Sequence, residues 1–207
     1  MPQITNSLMK RLSLYLFLIF FTLQTPSQAD DIRDFQIEGM SVGDSALDYY
    51  DKERLKKIQK KNEFKTQIHN KYCDNYLGEV YFDVCFYTLT KDKKYKIESI
   101  AGFIDCKKSI KACYKKQKEI DKEIKSLFSE ARRKVYDYKH QGDKSGNTKE
   151  RDIIYILKSK AEVGIAVLDY GKEYTNPEIG REDHLQVFAD SKDYARFFER
   201  RCVVIID

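Results

Sequence analysis

Ile110, Cys113, Ile120, Ile124 and Leu127 recur at helical spacing within Lys107 to Phe128, with Gln117 the one polar interruption. Apolar residues at such steps share one stripe of a helix, so the stretch predicts a long amphipathic helix with a single buried face. A helix of that kind needs an apolar layer to cover, and the rest of the chain supplies strands. In Gly78 to Thr90, Val80, Phe82, Val84 and Phe86 alternate with Tyr81, Asp83, Cys85 and Tyr87. The polar run Lys91 to Lys94 turns this strand into another at Tyr95 to Asp105, an antiparallel hairpin. Asp152 to Leu157 and Glu162 to Tyr170 predict a second hairpin, and Asp183 to Ala189 a further strand. Phe64, Thr66 and Ile68 suit an edge strand. Ser191 caps a last helix through Arg201, and Cys202 to Asp207 reads as a closing strand or a docked apolar tail. With 15 Tyr, 12 Phe and no Trp, the core should be aromatic-rich and β-containing. The fold class expected is α+β, an antiparallel sheet with helices packed on one face.

The N-terminus reads as a targeting signal. Lys10 and Arg11 precede a mostly apolar run of 12 residues, Leu12 to Leu23. That length suits a signal-peptide core and falls short of the roughly 20 residues that span a bilayer. Pro26 breaks the helix, and Ser27-Gln28-Ala29 offers small residues for cleavage before Asp30. The expected organisation is a signal peptide over 1–29 and one α+β domain over 30–207, with no membrane span after cleavage. Removing Lys10 and Arg11 takes the 38 basic residues to 36 against 33 acidic ones. A net charge of +3 is too small to argue for nucleic acid. No sequence repeat is evident.

The stretch Phe35 to Leu55 carries the local start signals. Phe35 and Ile37 alternate with Gln36 and Glu38 as in a short half-buried strand, and Gly39 permits a turn. Ser41 and Asp44 stand at capping-box spacing, and Asp51 ahead of Lys52-Glu53-Arg54-Leu55 repeats the signal for a Lys-rich helix to Lys61. The block Ile37-Glu-Gly-Met-Ser-Val-Gly-Asp-Ser-Ala-Leu-Asp-Tyr-Tyr50 resembles the opening of uncharacterised small secreted proteins of marine alphaproteobacteria of the Pelagibacter kind. The likeness continues through Tyr95-Lys96-Ile97 to Gly102, the helix holding Cys113, and Asp183 to Phe188. It implies a secreted protein and transfers no catalytic residue. Gly39-Met40-Ser41 alone is also similar to small envelope modules related to the beta-lactamase inhibitor protein and outer-membrane assembly lipoproteins, in which such a segment opens the helices ahead of an antiparallel sheet.

Gly43-Asp44-Ser45 invites comparison with a lipase-like esterase signature, with Ser45 as nucleophile. Such a serine needs a base and an oxyanion hole. His184 follows Arg181, Glu182 and Asp183, so the aspartate three residues ahead of the base is missing, and the motif reads instead as a helix start. His69, His140 and His184 are scattered, with no C-x-x-C or H-E-x-x-H. No metal, cofactor or catalytic residue is expected.

The five cysteines, Cys73, Cys85, Cys106, Cys113 and Cys202, allow at most two disulfides in an oxidising compartment. Cys106 and Cys113, if both sit on the helix axis, lie about 10 Å apart, beyond disulfide reach. Cys113 should therefore face Cys73 or Cys85. Buried free cysteines are an equal alternative.

The remaining signal is charge. Lys107, Lys108, Lys111, Lys115, Lys116, Lys118, Lys122 and Lys125 stand on the long helix against Glu119, Asp121 and Glu123, and Arg132, Arg133 and Lys134 continue the run. Two readings stand: a solvated face with i,i+4 pairing, or a stripe that holds an anionic envelope surface or an acidic envelope protein. Only Tyr114 interleaves, which argues against a single-stranded nucleic-acid platform. The loops Gln141–Glu150 and Gly171–Arg181 are further candidate contacts. The functional expectation is a secreted or periplasmic binding module of the cell envelope that is not an enzyme, with a serine hydrolase using Ser45 as the alternative.

Overall fold

Each hairpin read from alternation finds its place in a single sheet. The computed structural model describes residues 31–60, 68–75, 80–106, 109–140, 142–176 and 181–202, with side chains to 197 in the last range. The expected signal segment 1–29, the edge-strand positions Phe64 and Thr66, Lys107 and Lys108, and the segment after Cys202 lie outside the described residues. The strands are β1 (Gln59–Lys60), β2 (His69–Asp74), β3 (Asp83–Leu89), β4 (Ile97–Asp105), β5 (Arg132–Lys139), β6 (Lys149–Ile156), β7 (Glu162–Asp169) and β8 (His184–Asp190). The helices are α1 (Lys52–Ile58), α2 (Ile110–Leu127) and α3 (Lys192–Cys202). All neighbours pair antiparallel, in the order β1-β2-β3-β4-β8-β7-β6-β5. The order is the same from either edge. Each half is a helix followed by a four-strand meander, and the halves meet where β4 pairs with β8. No sequence repeat announces this symmetry.

Residues opposite one another in an antiparallel ladder share a face, so the register sorts the side chains. One face carries Phe86, Ile100, Ala189, Val163 and Tyr155, and also Val187, Ile165 and Ile153. These residues pack with Cys113, Ile124 and Phe128 of the α2 segment and with Leu55 and Ile58 of α1 in one buried cluster. α1 and α2 thus cover the expected single face. α3 departs from that expectation. Its Tyr194 ring lies 5.0 Å from His69 and 5.1 Å from Tyr87, which the register puts on the opposite face.

Local chemistry explains the helix ends. Asp51 caps α1 by accepting from the Arg54 N–H at 2.7 Å, and Ser191 Oγ accepts from the Tyr194 N–H at 3.1 Å to start α3. Ser109, at the start of α2, makes no side-chain cap bond.

Several expectations need correction. The N-terminal segment is not a strand. Ile37 and Met40 form an isolated bridge around Glu38 and Gly39, at φ 50° and 78°. Gly39 fits that left-handed geometry without strain, as its place in the sequence suggests. Asp44 Oδ2 accepts from the Ser41 N–H at 2.9 Å, but the Ser41 hydroxyl donates to Arg33 O and Phe35 O and caps nothing. β3 begins at Asp83, leaving Val80 and Phe82 ahead of it 54% and 52% exposed. Arg132, Arg133 and Lys134 do not extend the helical lysine run. They open β5, whose side chains are mostly exposed because it is an edge strand.

The predicted pairing of Cys113 with Cys73 or Cys85 is also overturned. Cys73 bonds to Cys85 directly opposite it on β2 and β3, and Cys106 bonds to Cys113. A Cα separation of about 10 Å holds only for a helix running back to Lys107. The helix starts at Ile110, and a turn in which the Ser109 N–H donates to Cys106 O brings the Cα atoms to 5.7 Å.

Candidate functional site

The regular turn of α2 fixes where its lysines point. A turn of about 100° per residue places Lys111, Lys115, Lys118, Lys122 and Lys125 within about 80° of one another. All five are exposed, on the side of α2 away from Cys113, Gln117 and Ile124. The ridge runs about 21 Å at 1.5 Å per residue. The acids leave it largely unneutralised. Glu119 meets Lys115 at 4.0 Å and Lys116 at 3.8 Å on one flank. Asp121 turns to the other flank, where it accepts from Arg133 at 2.8 and 2.9 Å and from the Tyr155 hydroxyl at 2.6 Å. Burial pushes the Asp121 carboxyl up, but these bonds outweigh it and hold it below its ordinary range.

Ser45 has a structural task. Its hydroxyl donates to Lys94 O at 2.7 Å and accepts from the Leu47 N–H at 3.2 Å, capping a 3-10 turn at Ala46–Asp48. Ser45 bridges to Lys96 at one end of β4, and His184 pairs with Asp105 at the other. At about 3.3 Å per residue, those ends are roughly 30 Å apart. The pair cannot form a nucleophile and base.

Cys73, Asp83 and Cys85 bring their ligand atoms within 4.8 Å of one another. The sulfurs are bonded to each other, so neither is a thiolate able to hold a metal.

The register gathers a group that the sequence reading did not single out. Tyr138 faces Glu150, Glu150 faces Leu168, Leu168 faces His184, and His184 faces Asp105, a line across the sheet on the face opposite α2. Aromatic rings cross the same end. Phe82 lies 6.3 Å from Phe103, Phe103 lies 5.6 Å from His184, and His184 lies 6.0 Å from Tyr170. Tyr170 and Tyr174 are 6.1 Å apart and nearly parallel at 18°. His140 completes the row, 5.6 Å from Tyr174, and the Arg181 guanidinium lies 4.2 Å over the Tyr174 ring. The two loops expected to carry contacts therefore converge here. A Cβ on Gly142 would stand 2.4 Å from the Tyr174 hydroxyl, and one on Gly171 would stand 2.7 Å from Asn147. The Gly171 N–H also donates to Thr148 Oγ1 at 3.0 Å. Asp143 braces its loop by accepting from the Ser145 and Thr148 N–H groups, which drive its carboxyl far below the usual range.

His184 Nδ1 lies 2.8 Å from Glu182 O. A carbonyl only accepts, so Nδ1 carries the proton, and Nε2 keeps a lone pair while the ring is neutral. Burial pushes the His184 pKa down, which favours that neutral ring. Burial and the nearby Glu150 push Asp152 up to about 7, and burial, with Glu162 beside it, does the same to Asp190. These two groups give a pH signature. A carboxyl raised in the fold stays protonated there while the unfolded chain ionises near pH 4, so its effect is to lower stability as pH rises from about 4 to about 7. Both side chains retain some water contact, which screens part of that cost. Each should cost on the order of 2 kcal/mol across that window. Urea unfolding of Asp152→Asn and Asp190→Asn should show a shallower fall than the parent; an unchanged slope would refute the assignment.

The chain matches no protein-family model, and neither a curated protein nor a solved structure matches it. Among the described residues no helix is long and apolar enough to cross a membrane. The two disulfides are compatible with an oxidising, extracytoplasmic compartment.

Proposed function

We propose that this protein is a secreted or periplasmic binding module of the cell envelope, not an enzyme, that holds an anionic envelope surface with the α2 ridge. The observation that carries the reading is the single exposed arc of Lys111, Lys115, Lys118, Lys122 and Lys125, with the helix's acids turned to its flanks. Lys107 and Lys108 precede the helix in the chain and belong to the same expected set. A basic ridge near a negatively charged surface gains about 1 kcal/mol per lysine, and salt screens the attraction. The resemblance to secreted marine alphaproteobacterial proteins supports the compartment, as do the disulfides.

The test is co-sedimentation with vesicles containing anionic headgroups, against zwitterionic vesicles, over a salt series. The protein should bind the anionic vesicles and be released by salt. The triple variant Lys115→Glu, Lys118→Glu, Lys122→Glu should bind at least about 100-fold more weakly, from about 1 kcal/mol per lysine lost. Equal binding by the variant and the parent, or no binding by the parent, would sink the reading. These side chains point to water, so the fold should survive the change.

A further inference from the structure

We infer that the face opposite α2 carries a second binding site, and that its ligand is a chain of uncharged pyranose sugars. A pyranose ring has one apolar C–H face and a rim of hydroxyls that both donate and accept. A site for it needs aromatic faces or edges in series, flanked by polar groups of both kinds. The row from Phe82 through Phe103, His184 and Tyr170 to Tyr174 supplies the series, with neighbouring centroids 5.6–6.3 Å apart. That step is comparable with the length of one sugar ring. Phe82 is 52% exposed, and the other rings keep part of their surface in water.

The polar partners stand beside the rings. Glu150 offers a carboxylate acceptor in the same line as His184. His184 Nε2 offers a second acceptor, since Nδ1 is committed to Glu182 O. Arg181 offers donors from its place on Tyr174.

Charge narrows the ligand class. The two loops and their flanks carry Lys144, Lys149, Lys172 and Arg181 against Asp143, Glu150, Glu173, Glu182 and Asp183, a near balance with no basic excess to hold an anionic chain. Single-stranded nucleic acid would stack on the rings but bring its phosphates against carboxylates. The rings contact one another in series, which suits an extended ligand laid along them better than a single ammonium enclosed in a cage. The loops meet through Gly142 and Gly171, whose closeness to Tyr174 and Asn147 holds that end of the row in place.

The experiment is calorimetric titration of the purified protein with cello-, xylo- and chito-oligosaccharides of increasing length. A basic peptide and a short single-stranded DNA are titrated in parallel. At least one sugar series should bind, with affinity rising with length. Phe82→Ala, at an exposed position that should not disturb folding, and Arg181→Ala should each weaken binding by about ten-fold, from the stacking and packing of one aromatic or guanidinium group. The Lys115→Glu, Lys118→Glu, Lys122→Glu variant should bind sugar like the parent, which separates this site from the ridge. The inference is overturned if no sugar series binds, if both single variants bind sugar unchanged, or if only the peptide or the DNA binds.

Discussion

Replacing both cysteine pairs with alanine should lower the unfolding free energy by about 5 kcal/mol, roughly 10–20 °C in Tm for a chain this size. Closing loops of 12 and 7 residues restricts the unfolded chain by between 2 and 3 kcal/mol each in the chain-entropy account. The two bonds should not act alike. Cys73–Cys85 ties two strands already joined in register. Cys106–Cys113 joins the end of β4 to the first turn of α2, where Ser109 gives no side-chain cap and no acidic residue faces the helix dipole. Losing the second bond should fray the first turn as well as lower Tm. Thermal unfolding and amide exchange of Cys73→Ala/Cys85→Ala and Cys106→Ala/Cys113→Ala separate the cases. Equal exchange in the first turn of α2 in both variants would contradict this account.

Gln117→Ala should cost about 3 kcal/mol, an unusual penalty for a polar residue on a helix. Gln117 is 1% exposed, and its amide donates to Arg151 O at 2.8 Å and to Ile165 O at 3.2 Å. One side chain thus fastens α2 to β6 and β7. Truncation removes two hydrogen bonds and opens a void beneath the helix. Gln117→Leu refills the volume without the donor, and should cost only about 1 kcal/mol. Chemical denaturation of both variants decides the point. If Leu proves as damaging as Ala, the hydrogen bonds matter more than the packing; if both are neutral, Gln117 is not a fastener.

Gln117 also shows what the sequence could say. The helical period found the buried face of α2 and marked Gln117 as its one break. Only the structure shows that the break is bonded to the sheet. The hairpins β3–β4 and β6–β7 were legible because each alternates or runs apolar between polar turns. β8 and the Ser191 cap were legible for the same local reasons. β2 was missed because His-Asn-Lys-Tyr-Cys-Asp has no clean alternation, with α3 aromatics covering His69 on one face and the core taking Tyr72 on the other. β5 was missed because an edge strand with charged neighbours exposes Val135, Tyr136 and Tyr138 and shows no buried stripe. The lysine ridge could be read from spacing alone. The aromatic row could not, because register alone brings Phe103, His184, Tyr170 and His140 together from separate elements.

The seam between β4 and β8 has a consequence for how the chain finds its fold. Each meander closes through connections of at most 14 residues, but the bond from Ser191 to Glu98 beside the seam spans 93 residues. Loop-closure entropy grows with separation, and distant pairings are repaid only after that cost is met. The middle of the finished sheet is therefore the most expensive pairing to reach. Until it forms, each half presents a bare central strand, and the free β4 edge of one molecule matches the β8 edge of another as well as its own. The symmetry that lets two meanders share one core also makes an exchange of halves between chains the natural misassembly of this architecture.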